Sequence, residues 1–119
     1  MRIQLDYTKD AELFNKTAKG WADKIGEGRK AVHSNQLRNF YDKVLELHEK
    51  AQKRRESWED ILPFVRMLNS KVAYAKTRGH VNDDFVEMMT QCIVQVDSPQ
   101  KLEIFKLFFE AVIGFYPKK

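Results

Sequence analysis

The sequence predicts an all-α fold, a compact bundle of about five helices, and three observations lead there. Apolar positions recur at helical spacing almost throughout. No stretch alternates convincingly as a strand. No internal repeat, low-complexity tract or Pro/Gly-rich linker divides the 119 residues, so residues 1–119 are expected to form a single helical domain. A domain of that size buries roughly two-thirds of its unfolded surface and needs no staple.

Each helix has its own signals. The first is expected from about Asp10 to Ile25, with Phe14, Ala18, Trp21 and Ile25 on one face. Gly20 weakens it and Gly26 ends it, and GEGRKAVH (26–33) reads as a loop. Ser34 is the expected N-cap of the second helix, whose inner face is Leu37, Phe40, Val44, Leu47 and Ala51. Asp60 is the expected cap of the third, with Pro63 tolerated in its first turn. Its buried stripe is Ile61, Val65, Leu68, Val72 and Ala75, and Gly79 stops it. Asn82 opens the fourth helix, where Asp83 and Asp84 suit the positive end of the dipole and Phe85, Met88, Met89, Cys92 and Val96 face inward. Ser98-Pro99 supplies an N-cap and N1 pair for the fifth, residues 99–116. No Gly or Pro lies between Arg29 and Leu62, so the lesser alternative is a fused second and third helix swapping partners in a dimer.

Composition narrows the function classes. The opening MRIQLDYTKD has no apolar h-region and no 18-residue apolar run occurs, so neither secretion nor membrane spanning is expected. One cysteine excludes an internal disulfide and fits a reducing, cytoplasmic setting. His33, His48 and His80 are scattered, and GEG (26–28) lacks the strand and third glycine of a phosphate loop. Asp83 and Asp84 read as helix-start acids and Cys92 as core. No catalytic residue, metal ligand or cofactor is therefore assigned.

The net charge of +4 is unevenly placed. Residues 1–80 carry 17 basic and 11 acidic side chains, whereas residues 81–119 carry 4 and 6. A basic part joined to a phenylalanine-rich, slightly acidic part suggests two surfaces with different partners. Along the border of the third helix's apolar arc run Met67, Lys71, Tyr74 and Arg78. Snorkelling of long cationic stems explains such a border. Neither cation has an acid four residues away, since positions 67, 74, 75 and 82 are Met, Tyr, Ala and Asn, and that favours an external anion. On the second helix Lys43, Lys50 and Arg54 fall within a narrow arc. Lys50 and Lys53 have Glu46 and Glu49 at i−4, Arg38 has Asp42 at i+4, and Arg54 and Arg55 have no acid at i−4. Cations on adjacent helices point to a surface that reads a nucleic-acid backbone.

The fifth helix is too apolar for an ordinary surface helix. Leu102, Phe105, Phe109, Val112, Ile113 and Tyr116 make one inward arc. Ile104, Leu107, Phe108, Ala111 and Phe115 make a second stripe, from which Ile104, Phe108 and Phe115 are expected at a protein interface.

SNQLRNFYDKVLEL, LPFVRMLNSKVAYAKTR and EIFKLFFEAVIGFY, in that order, resemble three hallmark blocks of one family. It is the small helical subunit of the type III-A CRISPR–Cas effector, the Csm complex. The resemblance covers roughly residues 34–116, and residues 1–33 carry little of it. It implies a non-catalytic, cytoplasmic antiviral-defence protein whose copies stack as an inner filament beside the crRNA-bearing backbone subunits. Target RNA cleavage is then the work of the backbone subunit, and DNA cleavage and cyclic oligoadenylate synthesis that of the large subunit. The implied partners are these Csm subunits, other copies of the chain along a filament or as a dimer, and crRNA and target RNA through their backbones. Carried over position by position, Arg38, Lys71 and Arg78 match the family's basic positions, while Lys50, Lys53 and Arg54 rest mainly on the charge argument. The rival reading is a helical homodimeric protein–protein adapter without direct nucleic-acid binding, its basic seam merely snorkelling.

Overall fold

Burying the apolar stripes decides which helices touch. The computed structural model describes residues 1–28, 30–53 and 56–117. A π-helical turn, Leu13–Thr17, leads into α1 (Ala18–Ile25), followed by α2 (Ser34–Lys53), α3 (Trp58–Thr77), α4 (Asp83–Gln95) and α5 (Pro99–Phe115). There is no strand among the described residues. α5 packs against α1 and α2 and more lightly against α4, while α3 packs against α4 and α2. One buried apolar cluster runs from Ile3 to Val112 through every helix.

The first helix differs from the expected continuous run. Thr17 N–H donates to Glu12 O (3.1 Å), five residues back, so an extra residue is wound into the turn. Asp10 fastens it, accepting from Glu12 N (3.0 Å) and Thr17 Oγ1 (2.8 Å). The buried face therefore steps from Leu13 to Ala18, five apart, and Phe14 is left half-buried against Tyr7.

Residues 1–5, which carry no helical pattern, are docked along α4 by side chains. Gln91 Oε1 accepts from Ile3 N (2.7 Å) and its Nε2 donates to Met1 O (2.8 Å). One turn on, Gln95 Oε1 accepts from Leu5 N (2.9 Å) and its Nε2 donates to Ile3 O (2.8 Å). Lys101 Nζ donates to Leu5 O (2.6 Å). Two glutamines at i, i+4 thus stand in for a neighbouring strand, and Ile3 and Leu5 enter the core.

α2 begins at Ser34 itself, because the carbonyl of His33 takes the first helical bond, from Leu37 N (3.0 Å). Of the loop expected over 26–33, Arg29 lies outside the described residues. α2 and α3 are separate helices packed on each other, and Ser57 is extended (ψ 155°), which sets aside the fused alternative. The N-cap of α3 is Ser57, not Asp60. Its carbonyl accepts from Asp60 N (3.0 Å) and Ile61 N (3.2 Å), and its hydroxyl donates to Asp60 Oδ2 (3.0 Å). Pro63 consequently sits in the second turn, where it deprives the exposed Glu59 of a helical partner for its carbonyl. The buried stripe of α3 is the expected one.

Asn82 caps α4 as its sequence position predicts, Oδ1 accepting from Phe85 N (2.9 Å). Its Nδ2 donates to Ile25 O and Lys30 O (both 3.1 Å), tying α4 to the end of α1 and the loop after it. Ser98 and Pro99 open α5, with Ser98 Oγ accepting from Lys101 N (3.2 Å). The burial of α5 corrects one expectation. Phe108 is 0% exposed and belongs to the core, while Ile113 and Tyr116 are only half-buried. With α1 on one flank and α2 on another, the inward arc is rotated toward Phe108 and away from Ile113. A side chain so enclosed presents nothing to a partner.

Candidate nucleic-acid interface

The α2/α3 pair builds the basic surface. Residues early in α2 face residues late in α3, so the helices run antiparallel and leave a groove between their outer seams. A hollow of about 590 Å³ is lined by Gln36, Asn39 and Lys43 of α2 and by Ser70, Lys71 and Tyr74 of α3, over a floor that includes Phe40 and Ala75. A second hollow of about 330 Å³ continues it past Lys50, Phe64 and Met67. Lys43 and Lys71 line both.

The helix chemistry explains why these side chains stand outward. α3 turns Ile61, Val65, Leu68, Val72 and Ala75 to the core, so the seam Phe64, Met67, Lys71, Tyr74 and Arg78 is exposed along its length. Gly79 closes the helix in the left-handed conformation (φ 77°). His80 N–H donates to Ala75 O (2.9 Å) and Gly79 N–H to Lys76 O (3.0 Å), the pair of bonds of a Schellman stop. That stop fixes Arg78 at the helix end, where its side chain folds back on Tyr74. Arg78 Nη1 donates to Tyr74 Oη (3.2 Å), and the guanidinium lies 5.5 Å from the ring centroid.

Charge pairing separates the expected cations. Among the described residues Lys43, Lys71 and Arg78 have no carboxylate within ion-pair distance. Lys50 reaches Glu46 Oε1 at 3.8 Å, an exposed i,i+4 pair of little strength. Asp42, Glu46 and Glu56 also line the groove and offset part of its positive charge. Arg38 pairs with Asp42 (3.4 Å), lies over the Tyr41 ring and lines neither hollow. Lys53 is exposed at the end of α2 and lines neither hollow. Arg54 lies outside the described residues. The groove therefore gathers Lys50 and Lys71, with Arg78 beside it, and leaves Arg38 and Lys53 apart. It adds Lys43, whose i−4 and i+4 neighbours are Asn39 and Leu47; the absence of a paired acid that marks Lys71 marks it too.

Among the described residues no three His, Cys, Asp or Glu side chains are placed to hold a metal ion. Cys92 is fully buried, and burial pushes its thiol up, away from the reactive thiolate. No helix among the described residues is long and apolar enough to cross a membrane. On α5, Leu107 and Phe115 remain exposed and Ile104 half-buried, outside the core that holds Phe108.

In comparison with known proteins, the family described as Csm2 Type III-A matches residues 8–118 of the chain. No curated protein and no solved structure matches the chain.

Proposed function

We infer function from one premise: the chain belongs to the Csm2 Type III-A family. Membership makes it a small structural subunit of the Csm effector complex in CRISPR defence, associated with other Csm subunits. Beyond that, we propose that its α2/α3 face contacts the guide–target RNA duplex through the phosphate backbone. One observation carries this reading. Lys43 and Lys71, from two helices, line a common groove with no carboxylate partner among the described residues. Two such cations contact phosphates without reading bases, which suits a complex whose guide RNA supplies the sequence recognition. Lys50 and Arg78 extend the seam, and Arg38, Lys53 and Arg54 flank it along α2. In this reading residues 1–119 act as one domain without chemistry of their own, in the cytoplasm. Copies stack through the apolar edge of α5, where Leu107 and Phe115 take the place that Phe108 does not.

The adapter reading keeps one specific support. Phe64 and Met67 are 52% and 45% exposed in the same seam as Lys71, so part of that face is apolar. Reversing charge at Lys43 and Lys71 together in the reconstituted Csm complex separates the two. The duplex reading expects weaker target binding, about equally for all sequences. For single-stranded target, loss of two phosphate contacts changes the log–log salt slope by about 1.4. Unchanged affinity and slope in an assembled complex leave the adapter.

A further inference from the structure

Backbone contact accounts for Lys43 and Lys71 but not for Tyr74, which at 64% is the most exposed aromatic side chain among the described residues. A tyrosine that only bordered the core would lay its ring on the apolar arc. This one stands off it. Its hydroxyl takes a hydrogen bond from Arg78, whose guanidinium also lies against the ring, and Arg78 has no carboxylate to draw it elsewhere among the described residues. The ring is thus steadied at the mouth of the larger hollow, one turn from Lys71. The remaining wall carries Gln36, Asn39 and Ser70, groups that both donate and accept hydrogen bonds, together with His80 and with Asp42 and Glu46, which pair with Arg38 and Lys50. About 590 Å³ is within the range of pockets that hold small ligands.

A held aromatic face, cations for phosphate and amides within one hollow are the parts of a nucleotide-binding platform. We propose that the upper α2/α3 groove takes one unpaired nucleotide of the bound RNA, its base stacked on Tyr74 and its phosphate at Lys71. The proposal rests on the RNA reading above and narrows it. The bases of an A-form duplex are stacked and their major-groove edges unreachable, so the nucleotide taken here is one that is out of the helix. Asp42 and Glu46 also line the hollow but pair with Arg38 and Lys50, which leaves Lys43 and Lys71 without a carboxylate among the described residues, and two such cations favour this occupant over an apolar peptide. Gln36 and Asn39 meet the base edge from α2, and Arg78 acts through Tyr74 as a positioning residue.

The test uses the full chain and two RNA oligonucleotides of one sequence carrying 2-aminopurine, one single-stranded and one fully paired. Anisotropy reads binding and 2-aminopurine emission reads stacking. The single strand is expected to bind more tightly, with its emission quenched on binding. Tyr74→Leu is expected to lose about fivefold or more in single-strand affinity, the lower end of a base–aromatic stack, together with the quench. Its salt slope stays that of the wild type. Tyr74→Phe keeps the ring and is expected within about twofold of wild type. Charge reversal at Lys43 and Lys71 instead flattens the salt slope for both RNAs. If both RNAs bind, the slope responds to the lysines and Tyr74→Leu behaves as wild type, the stacking proposal is overturned and the backbone reading stands. If neither RNA binds and the lysine reversal is silent in the assembled complex, both readings fail together.

Discussion

Replacing Gln95 by Leu tests the most unusual packing device of the fold, the docking of residues 1–5 along α4. Holding that segment costs backbone entropy of ~1–2 kcal/mol per residue, or about 5–10 kcal/mol over five residues. Against it stand the burial of Ile3 and Leu5, each worth ~1.5–3 kcal/mol. Bonds from Gln91, Gln95 and Lys101 to this backbone add ~1 kcal/mol each. The two sides nearly cancel, so docking is favourable by only a few kcal/mol. Gln95→Leu removes the acceptor of Leu5 N–H and the donor to Ile3 O, a loss of about 2 kcal/mol. The segment is then expected to open by itself rather than take the bundle with it. Native-state hydrogen exchange reads this directly. Protection of the Ile3 and Leu5 amides should fall about 30-fold, while that of core amides such as Phe105 stays close to wild type. Undiminished protection at Ile3 and Leu5 would refute the argument that side-chain amides hold this segment.

Two further substitutions probe the core and a cap. Phe108→Asp places a charge in a fully enclosed site and is expected to destabilise by several kcal/mol in urea unfolding, whereas Leu107→Asp, at a 37% exposed neighbour, leaves the chain folded. A folded, soluble Phe108→Asp would return that ring to the surface. Asn82→Ala removes a cap and two donors at once and should cost more than the ~1 kcal/mol of a cap alone, seen as a lower Tm. Asn82→Asp keeps the cap oxygen, so the difference between the two variants isolates the cap from the tether to Ile25 and Lys30.

Where pattern alone decides structure, the sequence was legible. The stripe of α3 is buried residue for residue, because Ile61, Val65, Leu68, Val72 and Ala75 repeat at a strict helical period, while Phe64 and Met67 beside them stay exposed. The caps at Asn82 and Ser98 were legible because each precedes its helix as a side chain able to accept from a first-turn N–H. Three features were not. The π-turn at Leu13–Thr17 depends on Asp10 reaching Thr17, a contact that periodicity cannot register. Gln91 and Gln95 look like solvent-facing polar residues at i, i+4 until residues 1–5 are laid across them. Ser57 and Asp60 were both good cap residues, and only the backbone shows that the earlier one takes the role while the later one accepts its hydroxyl proton.

The basic seam follows a related logic. Seen one helix at a time, the spacing of acids separates Lys71 from Arg38 and Lys53, but nothing says which cations meet across helices. The antiparallel pairing of α2 with α3 does, since it sets Lys43 opposite Lys71 and leaves Arg38 to Asp42 and Tyr41. That pairing is fixed by the buried faces, Leu37, Phe40, Val44 and Leu47 on one helix and the α3 stripe on the other. The core therefore selects which cations converge, although none of them belongs to it. It follows that Lys43 and Lys71 can be reversed in charge without unfolding the chain, which is what makes RNA affinity a clean readout of their role.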